Sequence, residues 1–130
     1  MKTLLPPGWP RPKGYSNGIS TRGRLVFTAG VIGWDETERL VAKDLAGQFR
    51  QVLVNTLAIL AEDGAGPEHI VRMTWYVTDK REYLAAAPEV GRAFREIIGS
   101  YTIAMTAVEV RALIEDRAKV EIEATAVIPD

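Results

Sequence analysis

The chain has 130 residues, 47% of them hydrophobic and 25% charged, with a formal net charge of −1; this is the composition of one globular domain with a single core. So balanced a charge offers no electrostatic footprint for nucleic acid, and the lack of cysteine excludes disulfides, thiolate catalysis and cysteine-bound zinc. No apolar run approaches the roughly 20 residues of a membrane span, and the proline-broken start "MKTLLPPGWPRPKG" lacks a signal peptide's apolar segment, so a cytoplasmic protein without a membrane partner is expected.

In chain order, residues 1–14 hold four of the seven prolines and read as an extended arm of a single domain spanning 1–130. "YSNGIST" and "RLVFTAGVIG" then read as a β-hairpin turning at Arg22–Gly23, followed by the polar connection "WDETERLVAK". Asp44 is a suitable N-cap for a helix in which Leu45, Phe49, Val52, Leu53, Leu57 and Leu60 recur at helical spacing. Gly64 and Gly66-Pro67 end it. "IVRMTWYVT" alternates as a strand, with Val71, Met73, Trp75 and Val77 on one face and Arg72, Thr74, Tyr76 and Thr78 on the other. Asp79 can cap a second helical stretch to about Ile98, divided by Pro88. The run "SYTIAMTAVEV", residues 100–110, carries no charge until Glu109. "TAVEVRAL" and "AKVEIEATAVI" then alternate as two strands around the turn "IEDR".

The order ββ-α-β-α-ββ predicts an α+β fold, a sheet covered by helices on one face. Alternation assigns Arg72, Thr74, Tyr76, Glu109, Arg111, Lys119, Glu121, Glu123 and Thr125 to the uncovered face. Such a polar face of mixed charge meets either water or further copies of the chain.

Chemistry-bearing motifs are scarce. The one histidine, His69, stands in a Gly/Pro-rich turn, where a solvated turn residue is the plainer reading than a catalytic or metal one. Hydrolase-elbow, P-loop, Rossmann and zinc-deaminase patterns do not occur. Glu121 and Glu123 share one strand face, as solvated carboxylates commonly do. Trp9, Trp34 and Trp75 form no stripe, and each reads as core or arm packing.

Five stretches, in order, resemble the RidA/YjgF family, also labelled endoribonuclease L-PSP: "GYSNGI", "LVFTAGVIG", "HIVRMTWYVTD", "MTAVEVRAL" and "KVEIEATAV". The resemblance implies a chorismate-mutase-like α+β fold, with two helices on one face of a mixed sheet. It also implies a homotrimer with ligand clefts between subunits, and no cofactor or metal. Active members hydrolyse enamines and imines to ketone-type products and ammonia. Tyr15, Gly30, Ile32 and Glu121 match the family pattern, whereas Ala29, Val31 and Gly33 replace its serine, glutamine and proline. The "P-A-R-S/T" signature is here Ile103, Ala104, Met105 and Thr106.

The implied catalytic residue is Glu121, which would help place a water and would need desolvation to act as acid and base. The implied substrate-binding residues are Tyr15, Gly30, Val31, Ile32, Met105 and Ala107, with Trp34 as a wall. Methionine in place of the arginine removes a charge-assisted pair worth about 1.5–3 kcal/mol. The expected ligand is therefore a small enamine or imine without the usual α-carboxylate, unless Arg72 or Arg111 restores the charge. A non-catalytic trimeric binding protein is the alternative, and ribonuclease activity is disfavoured by the net charge of −1.

Overall fold

The alternating segment "VEIEATAVI" becomes the spine of the sheet. The computed structural model describes residues 1–100 and 102–130; Tyr101, inside the run read as a strand, lies outside the described residues. The described residues form strands β1 (Lys2–Leu4), β2 (Gly18–Ser20), β3 (Arg24–Phe27), β4 (Ile70–Val77), β5 (Ala104–Glu109) and β6 (Val120–Ile128), with helices α1 (Leu45–Ala61), α2 (Lys80–Ala85) and α3 (Ala87–Ile97). The main sheet has the order β3-β6-β4-β5. Strand β6 is antiparallel to both of its neighbours, while β5 runs parallel to β4. A parallel pair needs a long crossover, and α2 with α3 supplies it. The expected α+β sheet with helices on one face is therefore the observed fold.

Helix α1 follows the sequence closely. Asp44 accepts a hydrogen bond from the Gly47 amide, and Leu45, Phe49, Val52, Leu53 and Leu60 are fully buried. They pack on Met73, Trp75 and Val77 of β4 and on Val120, Ile122 and Ala124 of β6. Asp79 caps α2 by accepting from the amides of Arg81 and Glu82 at 2.9 and 3.1 Å, and Pro88 sits in the first turn of α3.

Both expected hairpins are corrected. β2 pairs with β1, forming a separate two-stranded sheet, so the arm through residue 14 includes a strand. Arg22–Gly23 is thus a crossing between sheets. Gly23 has φ +144°, and a Cβ there would overlap the Ile128 carbonyl, so only glycine lets the chain enter β3 this close to the end of β6. At the other end, β5 and β6 do not pair; β4 and β3 flank β6 instead.

Parallel pairing also moves a charge. Glu109 lies opposite the buried Val77, on the helix side, where it accepts the Lys80 amide at 2.7 Å. It does not belong to the open face, nor does Lys119, whose Nζ turns to Glu82 at 2.8 Å. Arg111 lies beyond the end of β5. A register shift between Ile70 and Arg72 buries Ile70 and leaves Val71 half-buried, which breaks the simple alternation at that strand's start.

Gln48 ties the helical layer to the sheet. It is 1% exposed; its amide nitrogen donates to the carbonyls of Ala42 and Arg117 at 3.0 Å, and its oxygen accepts the Lys119 amide at 2.8 Å. Gln48→Leu keeps the volume but strands three backbone groups, each costing about 1–3 kcal/mol if it stays dry. A loss of about 2–4 kcal/mol is expected in urea unfolding; a loss below about 1 kcal/mol contradicts the tie.

Candidate functional site

The end of β3 is where the fold makes a site. Phe27 pairs with Thr125, yet Val31 bridges Ile122, so four steps on one strand face three on the other. Thr28 and Val31 both return to β6, their amides donating to Ala124 and Ile122 at 2.9 and 2.8 Å. Ala29 and Gly30 are left to bulge outward, as an extra residue in an antiparallel pair requires. A Cβ on Gly30 would overlap the carboxylate of Glu121. Glycine is therefore the residue that lets this glutamate lie flat over the bulge.

Three further contacts hold the loop that follows. Gly33 passes so close to α1 that a Cβ would stand 2.9 Å from the Gln48 carbonyl oxygen. Asn55 of α1 donates to the carbonyls of Ile32 and Trp34 at 3.2 and 2.7 Å, and accepts from Gln51 at 2.8 Å. Beyond it, Trp34 bridges Leu40 across a tight loop. Inside that loop Asp35 accepts from the Thr37 hydroxyl at 2.7 Å and from the amides of Thr37 and Arg39 at 2.8 and 3.2 Å. The Thr37 hydroxyl foremost, then those amides, hold the Asp35 carboxyl below its usual 3.8. Sequence patterning did not single out Asn55 or Asp35; the only trace of the former is the i, i+4 pair Gln51–Asn55 on helix α1.

The result is a cleft of about 670 Å³ lined by Gly30, Ile32, Trp34, Asn55, Ile114 and Glu121. It brings together four of the implied site residues, Gly30, Val31, Ile32 and Glu121, with Trp34 as the expected wall. Glu121 is half-buried in it. The Val31 amide, however, is committed to Ile122, which leaves it no proton for a ligand.

The other three implied residues lie elsewhere. Tyr15, Met105 and Ala107 line a second cleft of about 1030 Å³. Met105 is paired with Met73 and packs against the core, on the helix side of the sheet. Glu121 pairs with Tyr76 across β4 and faces the opposite side. Within one chain the thioether and the carboxylate cannot meet. Neither Arg72 nor Arg111 lines either cleft; Arg72 is on the open face beside Ala104 and Thr125, and Arg111 is near Asp79 and Asp116. His69 is a turn residue, its Nδ1 accepting the Gly66 amide at 2.9 Å. Trp9 packs on nothing substantial, being 59% exposed. No helix among the described residues is long and apolar enough to cross a membrane.

A four-stranded mixed sheet with helices covering one face defines an α+β protein of the Rid fold. The sequence model described as endoribonuclease L-PSP matches residues 10–128, and the chain belongs to this family, the RidA/YjgF family. It is 35% identical over 132 residues to a RutC family protein of Synechocystis, covering 99% of this chain and 98% of that one. It is 33% identical over 113 residues to the 2-iminobutanoate/2-iminopropanoate deaminase of Escherichia coli, with 87% and 86% covered. The crystal structure of the Rid family protein YyfB from Yersinia pestis superposes with a TM-score of 0.86 at 28% identity, over 98% of both chains.

The Asp35 loop yields a pH prediction. Because the folded carboxyl titrates below 3.8, its stabilising effect is present above that value and is lost as pH falls through the lower folded one. The stability difference between the native chain and Asp35→Asn should therefore shrink between pH 5 and pH 2, followed by urea titration. A difference that stays constant over that range contradicts the hydrogen-bonded role.

Proposed function

We infer that the chain hydrolyses a small enamine or imine to a carbonyl compound and ammonia, in clefts that form between copies of a homotrimer. The observation that carries this reading is the Glu121 carboxylate seated over Gly30. An imine carbon is already electrophilic, so it needs only a placed water and a proton carrier. Water attacks the carbon while Glu121 takes its proton, and the carboxylic acid returns that proton to nitrogen, giving a carbinolamine; Glu121 then carries the hydroxyl proton of that intermediate to nitrogen as the C–N bond breaks and the C=O bond forms, and ammonia leaves. An enamine first takes a proton on carbon to become the imine. Similarity to the 2-iminobutanoate/2-iminopropanoate deaminase of Escherichia coli supports this chemical class.

Division of the implied residues between two sheet faces supports the oligomer. The Glu121 cleft and the Met105 cleft form a common site only if one copy supplies the first and a neighbour the second. Closed three-fold symmetry repeats that junction without leaving an unmatched surface. The open face suits burial between copies: Tyr76 donates to Glu123 at 2.6 Å, so part of its polarity is already satisfied, and that bond holds the Tyr76 hydroxyl above its usual range. The neighbour would also exclude water from the half-buried Glu121, as an acid–base role requires.

Met105 favours a substrate without an α-carboxylate at that position, since a thioether offers only apolar contact. The same residue is the one observation in favour of a purely binding trimer. An RNA substrate finds no support in a net charge of −1.

An ammonia-release assay on imines generated in situ separates these possibilities. Glu121→Gln should lower turnover by about 10²–10⁴-fold. Gly30→Ala should lower it comparably while changing stability by less than about 1 kcal/mol, because the displaced group is a flexible side-chain end. Met105→Arg should raise turnover of α-imino acids by about 10–150-fold, the equivalent of one charge-assisted bond. A native chain that releases no ammonia from any imine, or a Glu121→Gln variant as active as native, overturns the hydrolytic reading.

A further inference from the structure

Charge is sorted between the two clefts. The described residues lining the Glu121 cleft include the carboxylates of Asp35, Glu36, Glu115 and Glu121 and no cation. Those lining the Met105 cleft include the cations Arg11, Lys13 and Arg95 and no carboxylate. Such sorting is not general on this surface, because the cleft that holds Arg111 mixes Asp79, Glu82 and Asp116 with Arg117 and Lys119. Nor is the sorted charge neutralised within the chain. Among the described residues, no salt bridge involves any of these cleft-lining acids or cations. With Glu121 reserved for chemistry, Asp35, Glu36 and Glu115 on one wall are matched in number by Arg11, Lys13 and Arg95 on the other.

Both clefts also present apolar surface among these charges. Ile114 stands fully exposed and lines the acidic cleft with Ile59 and Trp34. Leu4 and Leu5, also exposed, line the basic cleft with Phe94 and Met105. Apolar groups for contact, with charges that choose the partner, are what a protein interface combines.

The signs decide which surfaces can meet. Either cleft stacked on its own copy would bring like charges together, which is repulsive. The acidic cleft of one copy on the basic cleft of the next brings opposite charges together. That contact is head to tail, and a head-to-tail contact leaves one unpaired cleft of each sign until the ring closes.

We propose that a second copy of this chain docks with its basic cleft on the acidic cleft of the first, and that ion pairs between Asp35, Glu36 and Glu115 of one copy and Arg11, Lys13 and Arg95 of the other select this orientation. The proposal rests on the homotrimer reading for closure of the ring and adds the interaction that directs it. Cations engaged across the junction are not free to hold a ligand's acid group, which agrees with a methionine at position 105.

Charge reversal followed by sedimentation equilibrium of the full chain tests this. In about 0.1 M sodium chloride, Glu36→Lys with Glu115→Lys should raise the protein concentration at half dissociation by at least about a hundredfold, and Lys13→Glu with Arg95→Glu should do the same. All four substitutions in one chain restore opposite signs across the junction, and should return that concentration to within about tenfold of native. This recovery separates a lost ion pair from a damaged fold. Reversals that assemble as tightly as the native chain, or a fourfold variant no tighter than its parents, overturn the proposal. If the native chain is a trimer and the reversals leave it unchanged, the charge inference alone fails. If the native chain is a monomer at every concentration, the homotrimer reading fails with it. If the fourfold variant recovers assembly but no imine yields ammonia from the native protein, the hydrolytic reading alone fails.

Discussion

The candidate site depends on one close passage of backbone: residues 30–34 thread between β6 and α1, with no room for a side chain at Gly30 or Gly33. At Gly30 the neighbour is the Glu121 carboxylate, and at Gly33 it is the backbone of Gln48. Asn55 then holds the carbonyls of Ile32 and Trp34, and Gln48 holds the loops that lead into α1 and β6. The loop is thus fixed by rigid elements on both sides, which is how a carboxylate can be positioned precisely by a chain that has very few polar groups to spend on it.

A second consequence comes from the sheet. Alternate residues of a strand face opposite sides, so the pairing of Met105 with Met73 and of Tyr76 with Glu121 places the two halves of the expected site back to back. No rearrangement short of breaking the sheet joins them in one chain. Assembly is therefore part of the proposed chemistry, since a neighbouring copy is what would complete each cleft and remove water from it.

Much of this was legible beforehand. Helix α1, the division at Pro88 and the strands β4 and β6 follow from apolar spacing and cap residues, because burial of one face dominates their energetics. Strand neighbours were not legible. Period-2 alternation says which face a residue takes but not which strand lies beside it, so "IEDR" looked like a hairpin turn although β5 lies beside β4 and β6 lies between β3 and β4. Glu109 went to the wrong face for a related reason, since its side depends on the parallel register with Val77. The bulge at Ala29–Gly30 leaves no mark on composition, and Gly30 stood out only through family likeness. That Ser16 Oγ and Trp75 Nε1 are buried without a hydrogen-bond partner among the described residues was invisible, because an unmet hydrogen bond is a property of the packed state.

Subunit mixing measures the shared site most directly. Glu121→Gln disables one half, and Ala107→Trp fills the other, so each variant alone should release ammonia at least about a hundredfold more slowly than the native protein from the imines it is proposed to hydrolyse. Dissociated, mixed in equal amounts and reassembled at random, they should recover about one quarter of native activity, the fraction of junctions built from two intact halves in a closed ring. A mixture that stays as inactive as its parents contradicts a site built between copies.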